Sequence, residues 1–277
     1  MSNIGIIGFG NMGSCLGERL KSQENQIWAF DKDKTKINKL SGISLAESSA
    51  DLVKRVDTAV LAVKPQDFAT ILGEIKNNVK NKLIISIAAG ITTGYIENIL
   101  GEVRVIRTMP NMPARIGRGI TCLCKGKFAT EEDLNFTREL FESLGVTLIL
   151  EEDMINEATA VSGSGPGYIF DRIDTKKIDI NNEAAIERFR EEFTALLTGA
   201  AVGIGFMPRD ATKLAKATVD GSIALLKQSN LSAQELKKQI ASKGGTTEVA
   251  LEVLHSGGYL DEAVKAAVLR ARKLAKK

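Results

Sequence analysis

Cysteine and histidine are scarce in this chain, and each scarcity excludes something. Among 277 residues there are three cysteines, Cys15, Cys122 and Cys124, and one histidine, His255. An odd, sparse set of thiols fits a reducing cytoplasm and gives no disulfide framework. The pair in "CLC" lacks the spacing of a metal half-site and the histidine is remote. No metal site is therefore expected, and two packed strand residues are the plainer reading. No charge of one sign dominates: the net charge is +3 and the charges are interspersed, which leaves no basic face for a nucleic acid. Long apolar runs are missing too. The longest, Leu83–Ile91, falls far short of the ~20 residues of a membrane-spanning helix. The opening "SNIGIIGFG" carries no basic n-region or cleavage site, so the expectation is a cytoplasmic protein that is neither membrane-bound nor exported.

What is present is an ordinary globular composition, 44% hydrophobic and 26% charged, over a length that suits one large domain or two modest ones. Short apolar, β-rich runs occur at 3–8, 26–30, 58–63, 82–87, 104–109, 120–124 and 146–150. Stretches of helical period such as Met12–Lys21 and Asp67–Asn77 lie between them, which predicts a mostly parallel sheet covered on both faces. After about Glu151 no strand pattern follows. Long Ala/Leu/Ile/Lys/Glu segments of helical period take over, and Ser232 with Glu235, and Thr246 or Thr247 with Glu248, suggest helix starts. The reading is an α/β, Rossmann-type dinucleotide-binding domain over 1–152, then an all-helical domain over 153–277.

Four stretches carry chemistry in the first domain. Gly8-x-Gly10-x-x-Gly13, with Asn11 and Met12 inside it, follows a strand and opens a helix. Glycines there allow a tight turn, close approach to a pyrophosphate and helix-on-strand packing. A glycine turn kept only for packing is the alternative. Asp31 ends the second strand, where a carboxylate accepts from a ribose 2′-hydroxyl and repels a 2′-phosphate, so NADH is favoured over NADPH. Lys32 and Lys34 would offset that repulsion, or are plain surface lysines. Ala62-Val63-Lys64-Pro65 ends a further strand, at the sheet edge where such folds bind ligands. Lys64 is thus a ribose or substrate contact, or a solvated lysine. In "RTMPNMPA" two prolines fix a turn that presents Asn111, as a site wall or as structure.

These stretches, with "SGSGPGY" and "SKGGTTE", occur in the order of one family: the sequence resembles pyrroline-5-carboxylate reductases almost end to end. The resemblance implies a Rossmann-type domain holding NAD(P)H and a helical domain that forms an intertwined homodimer, alone or within a larger assembly. It implies hydride transfer to the C=N carbon of L-1-pyrroline-5-carboxylate, giving L-proline. Gly244, Gly245 and Thr246 would supply N–H groups to the substrate carboxylate, with Ser242 and Asn111 also at the substrate. Thr247 would hydrogen-bond the ring nitrogen, and Thr247 and Lys64 are the candidate catalytic residues. A Gly-Gly-Thr-Thr turn opening a helix is an anion site of the right kind, or simply a capped helix start. A protonated imine is already electrophilic and needs positioning more than a strong acid. That suits a chain whose only histidine, His255, lies outside every motif and reads as an exposed helix end.

The sequence departs from the family where Gly167 replaces alanine, Lys243 replaces proline and Ala217 replaces glutamine. It also carries extra residues, roughly Asp171–Arg190, whose polar character argues for a surface or dimer-rim excursion rather than core. A related imine or β-hydroxyacid-type reductase, and a non-catalytic dinucleotide-binding protein on the same fold, remain open on these grounds.

Overall fold

Alternation of buried aliphatic strands with amphipathic helices builds the first part of the chain. The computed structural model describes residues 2–21, 25–37 and 41–275. In order, they form β1 (Asn3–Ile7), α1 (Asn11–Lys21), β2 (Gln26–Phe30), β3 (Ile43–Leu45), α2 (Ser49–Arg55), β4 (Thr58–Leu61), α3 (Phe68–Ile75), β5 (Leu83–Ser86) and α4 (Thr93–Leu100). There follow β6 (Arg104–Pro110), β7 (Gly119–Lys125), α5 (Glu131–Glu142) and β8 (Gly145–Ile149). All seven strands expected from the sequence form. The additional β3 has only three residues, too few to show a period.

The strand order is β3-β2-β1-β4-β5-β6-β7-β8, and the pairings from β3 through β6 are parallel. Its first six strands have the order of dinucleotide-binding sheets, which reverses direction between β1 and β4. The fully buried run Thr58–Leu61 is what a parallel strand covered on both faces requires. Residues such as Leu52, Phe68, Leu72, Ile75 and Ile96 pack a continuous apolar layer against it.

From Asp153 onward the chain is helical: α6 (Ile155–Ala158), a π-helical turn (Thr159–Gly163), α7 (Gly165–Thr175), α8 (Glu183–Val202), α9 (Pro208–Gln228), α10 (Ala233–Ile240), α11 (Thr246–His255) and α12 (Leu260–Ala275). The pairs α8–α9, α11–α12 and α7–α10 pack side by side. Two compact units result, one of 1–108, 123–143 and 149–152, the other of 109–122, 144–148 and 153–277. The second therefore takes in two stretches that the sequence reading placed in the first domain. Periodicity marks elements, whereas membership of a unit depends on which neighbours an element meets.

The capping box at Ser232 and Glu235 is present. The one expected at Thr246 or Thr247 is not: Gly245 caps α11 and Glu248 accepts from the Gly244 N–H, at 2.6 Å. Between α7 and α8 the helix is broken and Lys176, Lys177 and Asp179 are exposed, as a polar excursion requires. Its start differs from expectation, since Asp171 and Ile173 are buried in the last turns of α7. The Asp171 carboxylate tolerates burial because Lys237 Nζ and His255 Nε2 lie 2.8 and 3.0 Å from it. His255 does end α11 and is exposed, but it is tied to α7 through this contact.

Candidate active site

Register brings the glycine turn and the strand ends together. Ile7 pairs with Phe30 on one side and Leu61 on the other, so Gly8, Asp31 and Ala62 follow at one edge of the sheet. Gly8 has φ +95°, and a Cβ there would sit 2.7 Å from the Ala62 carbonyl oxygen; only glycine fits. A Cβ on Gly13 would strike the Gly8 carbonyl oxygen, so this glycine lets α1 begin against the turn. Gly10 is different. It is exposed, and a Cβ would meet nothing within 4 Å. Open space thus lies beside the first N–H groups of α1, near Asn11 and Met12, and suits a pyrophosphate. Ala62 and Val63 are partly buried at the same edge, with Lys64 and Pro65 exposed beyond them.

Asp31 does not stand open to this edge. It is 7% exposed, and its carboxylate accepts from the Phe9 N–H at 2.7 Å, the Asp33 N–H at 2.8 Å and Lys36 Nζ at 3.1 Å. Burial pushes its pKa up, but these donors outweigh burial and hold the carboxyl below the ordinary aspartate value. One of these bonds, from the Phe9 N–H, fixes the residue between Gly8 and Gly10. Three of the roughly four lone-pair positions of the carboxylate are occupied, and Lys36 offsets its charge. Lys32, Asp33 and Lys34 are the exposed groups that follow.

In the helical unit the start of α7 lies against the start of α11. Ser164 Oγ and Thr246 Oγ1 are 2.8 Å apart and share a hydrogen. Thr247 is 4% exposed, and its hydroxyl has no hydrogen-bond partner among the described residues. Its oxygen is not one of the fully buried polar atoms that lack a partner, so it stands open to water or a ligand. Of the N–H groups expected to receive a carboxylate, Gly245 donates to the Ser242 carbonyl at 2.9 Å and Gly244 to Glu248. Thr246 and Thr247 open the first turn of α11, whose N–H groups have no intrahelical acceptor. Glu248 thus occupies one of the N–H groups that the sequence reading assigned to a carboxylate. Ser242 and Lys243 are exposed, and Arg270 Nε donates to the Gly244 carbonyl at 2.7 Å.

Asn111 is held by two hydrogen bonds. Its amide donates to the Ser162 carbonyl at 3.2 Å and accepts from the Ile120 N–H at 2.9 Å. Cys122 and Cys124 are buried on β7, and burial above all pushes each thiol up to about 12. Neither is a reactive group. Sequence reasoning named neither Ser164 nor Glu248 as a site residue. Ser164 lies in a quoted motif, but its partner is 82 residues away.

Fold and site together define a class: a dinucleotide-dependent oxidoreductase whose cofactor unit is a Rossmann-type sheet and whose second unit is helical. Residues 3–90 match the family described as "NADP oxidoreductase coenzyme F420-dependent". Residues 189–277 match "Pyrroline-5-carboxylate reductase dimerisation", a match that begins beyond the break between α7 and α8. The pyrroline-5-carboxylate reductase of Escherichia coli (strain K12) is 34% identical, over 97% of this chain and 93% of that protein. The Mycobacterium tuberculosis (strain ATCC 25618 / H37Rv) protein of the same name is 31% identical over 99% and 97%. A solved pyrroline-5-carboxylate reductase from Coxiella burnetii is similar at 30% identity and TM-score 0.66, over 100% of this chain and 99% of that one. A Plasmodium falciparum pyrroline carboxylate reductase with NADP bound is similar at 27% and 0.63, over 99% and 98%. The chain belongs to the pyrroline-5-carboxylate reductase family. Among the described residues, no helix is long and apolar enough to cross a membrane.

Proposed function

We propose that the protein reduces L-1-pyrroline-5-carboxylate to L-proline with NAD(P)H, in the cytoplasm, as a homodimer or an assembly of dimers. The observation that carries this reading is the Thr247 hydroxyl, unengaged within the protein and open to a ligand, at the head of a helix whose first N–H groups suit a carboxylate. The nicotinamide cofactor supplies the hydride. Addition of that hydride at the C=N carbon sends the π electrons to nitrogen, so the protonated imine becomes a neutral amine and no further proton is consumed.

Thr247 holds the ring nitrogen through its hydroxyl, which orients the C=N carbon; Thr246 and its neighbours receive the carboxylate once Glu248 withdraws. The Gly8–Gly13 turn and the head of α1 take the pyrophosphate, and Ala62–Pro65 border the cofactor, with Lys64 reaching ribose or substrate. Exposed Leu196, Met207, Tyr259 and Leu269 on the helical unit support self-association.

Steady-state oxidation of NADH and NADPH with pyrroline-5-carboxylate tests the reading, and turnover that falls strongly in Thr247→Ala is the expected outcome. Binding of either cofactor without oxidation would favour a non-catalytic dinucleotide-binding protein. Asp31 favours NADH modestly, and the exposed Lys32 and Lys34 offset its repulsion of a 2′-phosphate. The kcat/KM values for the two cofactors should lie within about tenfold, a difference of roughly 1.4 kcal/mol.

A further inference from the structure

Two adjacent glycines, Gly244 and Gly245, lead into the head of α11, and Gly244 has φ +67°. Such a pair has more backbone freedom than any other, so its shape in the folded chain depends on what ties it down. Three backbone ties are present. The Gly245 N–H donates to the Ser242 carbonyl at 2.9 Å, which closes the turn on itself. The Gly244 N–H donates to Glu248 at 2.6 Å, a contact that an incoming carboxylate displaces on the proposed reading. The third tie comes from α12, which packs along α11. Arg270 Nε donates to the Gly244 carbonyl at 2.7 Å, across 26 residues of sequence. Of the three, it alone comes from another helix, and it does not depend on Glu248.

The guanidinium is not spent elsewhere. Arg270 is partly buried, and among the described residues it forms no ion pair. Its Nη2 stands 3.2 Å from the position a Cβ of Gly244 would take, so the group lies along this glycine. Arg272, two residues further on α12, provides a contrast. It is ion-paired to the buried Glu157, with Nε 3.0 Å from Oε1. A charged donor on a carbonyl makes the stronger kind of hydrogen bond. We infer that Arg270 is a positioning residue for the substrate carboxylate: by holding the Gly244 carbonyl it fixes the peptide that leads into α11, and so keeps the N–H groups of Thr246 and Thr247 in place once Glu248 has left. The inference rests on the reading of the α11 head as the substrate seat.

The atom at issue can be kept or removed by substitution. Glutamine places an amide nitrogen at the same number of bonds from the backbone as arginine Nε, so Arg270→Gln keeps the donor and removes the charge. Arg270→Met keeps the stem and puts a methyl there. The test is steady-state NADH oxidation with pyrroline-5-carboxylate on the full-length protein. Arg270→Met should raise the KM for pyrroline-5-carboxylate about tenfold, with kcat within about threefold and the KM for NADH unchanged. Arg270→Gln should hold the substrate KM within about threefold of native. Arg272→Met, measured in parallel, should lower the thermal midpoint and leave the substrate KM unchanged, which separates a loss of packing from a loss of the seat.

An unchanged substrate KM in Arg270→Met overturns the inference and leaves the reading of the seat standing. The same holds if the KM rises as much in Arg270→Gln as in Arg270→Met, because charge and not the tie would then matter, or if it rises as much in Arg272→Met. No turnover of pyrroline-5-carboxylate by the native protein overturns that reading and the inference with it. Should Arg270→Met fail to fold, Arg270→Lys, which carries a methylene at the Nε position, must show the raised KM. An unchanged KM there also overturns the inference.

Discussion

Asp31 illustrates how one side chain can brace its surroundings from the place the sequence assigns it. The sequence puts an acidic residue at the end of β2, where it does lie, but three donors of the chain hold the carboxylate. Asp31→Asn should therefore act on stability and on the glycine turn before it acts on cofactor choice. An amide keeps one acceptor oxygen and loses the charge, leaving the Phe9 or Asp33 N–H poorly matched, at a cost of roughly 1–3 kcal/mol. The sign of the pH effect follows from the lowered native pKa. The contribution of Asp31 is fully present above the ordinary aspartate value of about 3.9 and is lost as pH falls through the lower native one. Urea unfolding of the two forms should differ most near neutrality and converge in acid. A constant difference at all pH values would remove the ionised carboxylate from this role.

At the scale of elements, the head of α11 matters most. Its N-terminal end is a favourable place for an anion, and the chain places one of its own there, with Glu248 2.6 Å from the Gly244 N–H. On the proposed reading of this site, a substrate carboxylate displaces that contact. Glu248→Gln, which keeps the size and removes the charge, should lower the KM for the acid substrate several-fold and leave kcat within about twofold; 1.4 kcal/mol corresponds to tenfold. A raised KM would instead make Glu248 part of the substrate site. The break between α7 and α8 shows which part of an element pattern can be read locally. The exposed lysines and Asn182, which caps α8 through the Ala185 N–H, announce a stop and a restart. Nothing local announces that Asp171, just before the break, is buried. Its partners, Lys237 and His255, are 66 and 84 residues further on.

For the whole molecule, the proposed cofactor and self-association would be the two outside contributions to stability. NADH or NADPH at a hundred times its dissociation constant should stabilise the folded chain by about 2.7 kcal/mol, seen as a rise in the thermal midpoint. Sedimentation should give a dimer or a multiple of it. A monomer that retains full turnover would separate activity from association.

Much of this protein was set by its sequence alone. The seven longer strands, the alternation with helices, the glycine turn after β1 and the change to an all-helical chain near residue 153 all follow from local patterning, because period and turn chemistry act over a few residues. The three-residue β3 escapes for the same reason, since it is too short to carry a period. Other features were decided only in the folded chain. The three donors that hold Asp31, the hydrogen bond between Ser164 and Thr246, and the contact of the Thr247 methyl with Gly167 each join groups whose meeting depends on register and helix packing. A side chain declares which bonds it can make; only the closed structure supplies the partner, and at this site the partners determine which groups remain free for a ligand.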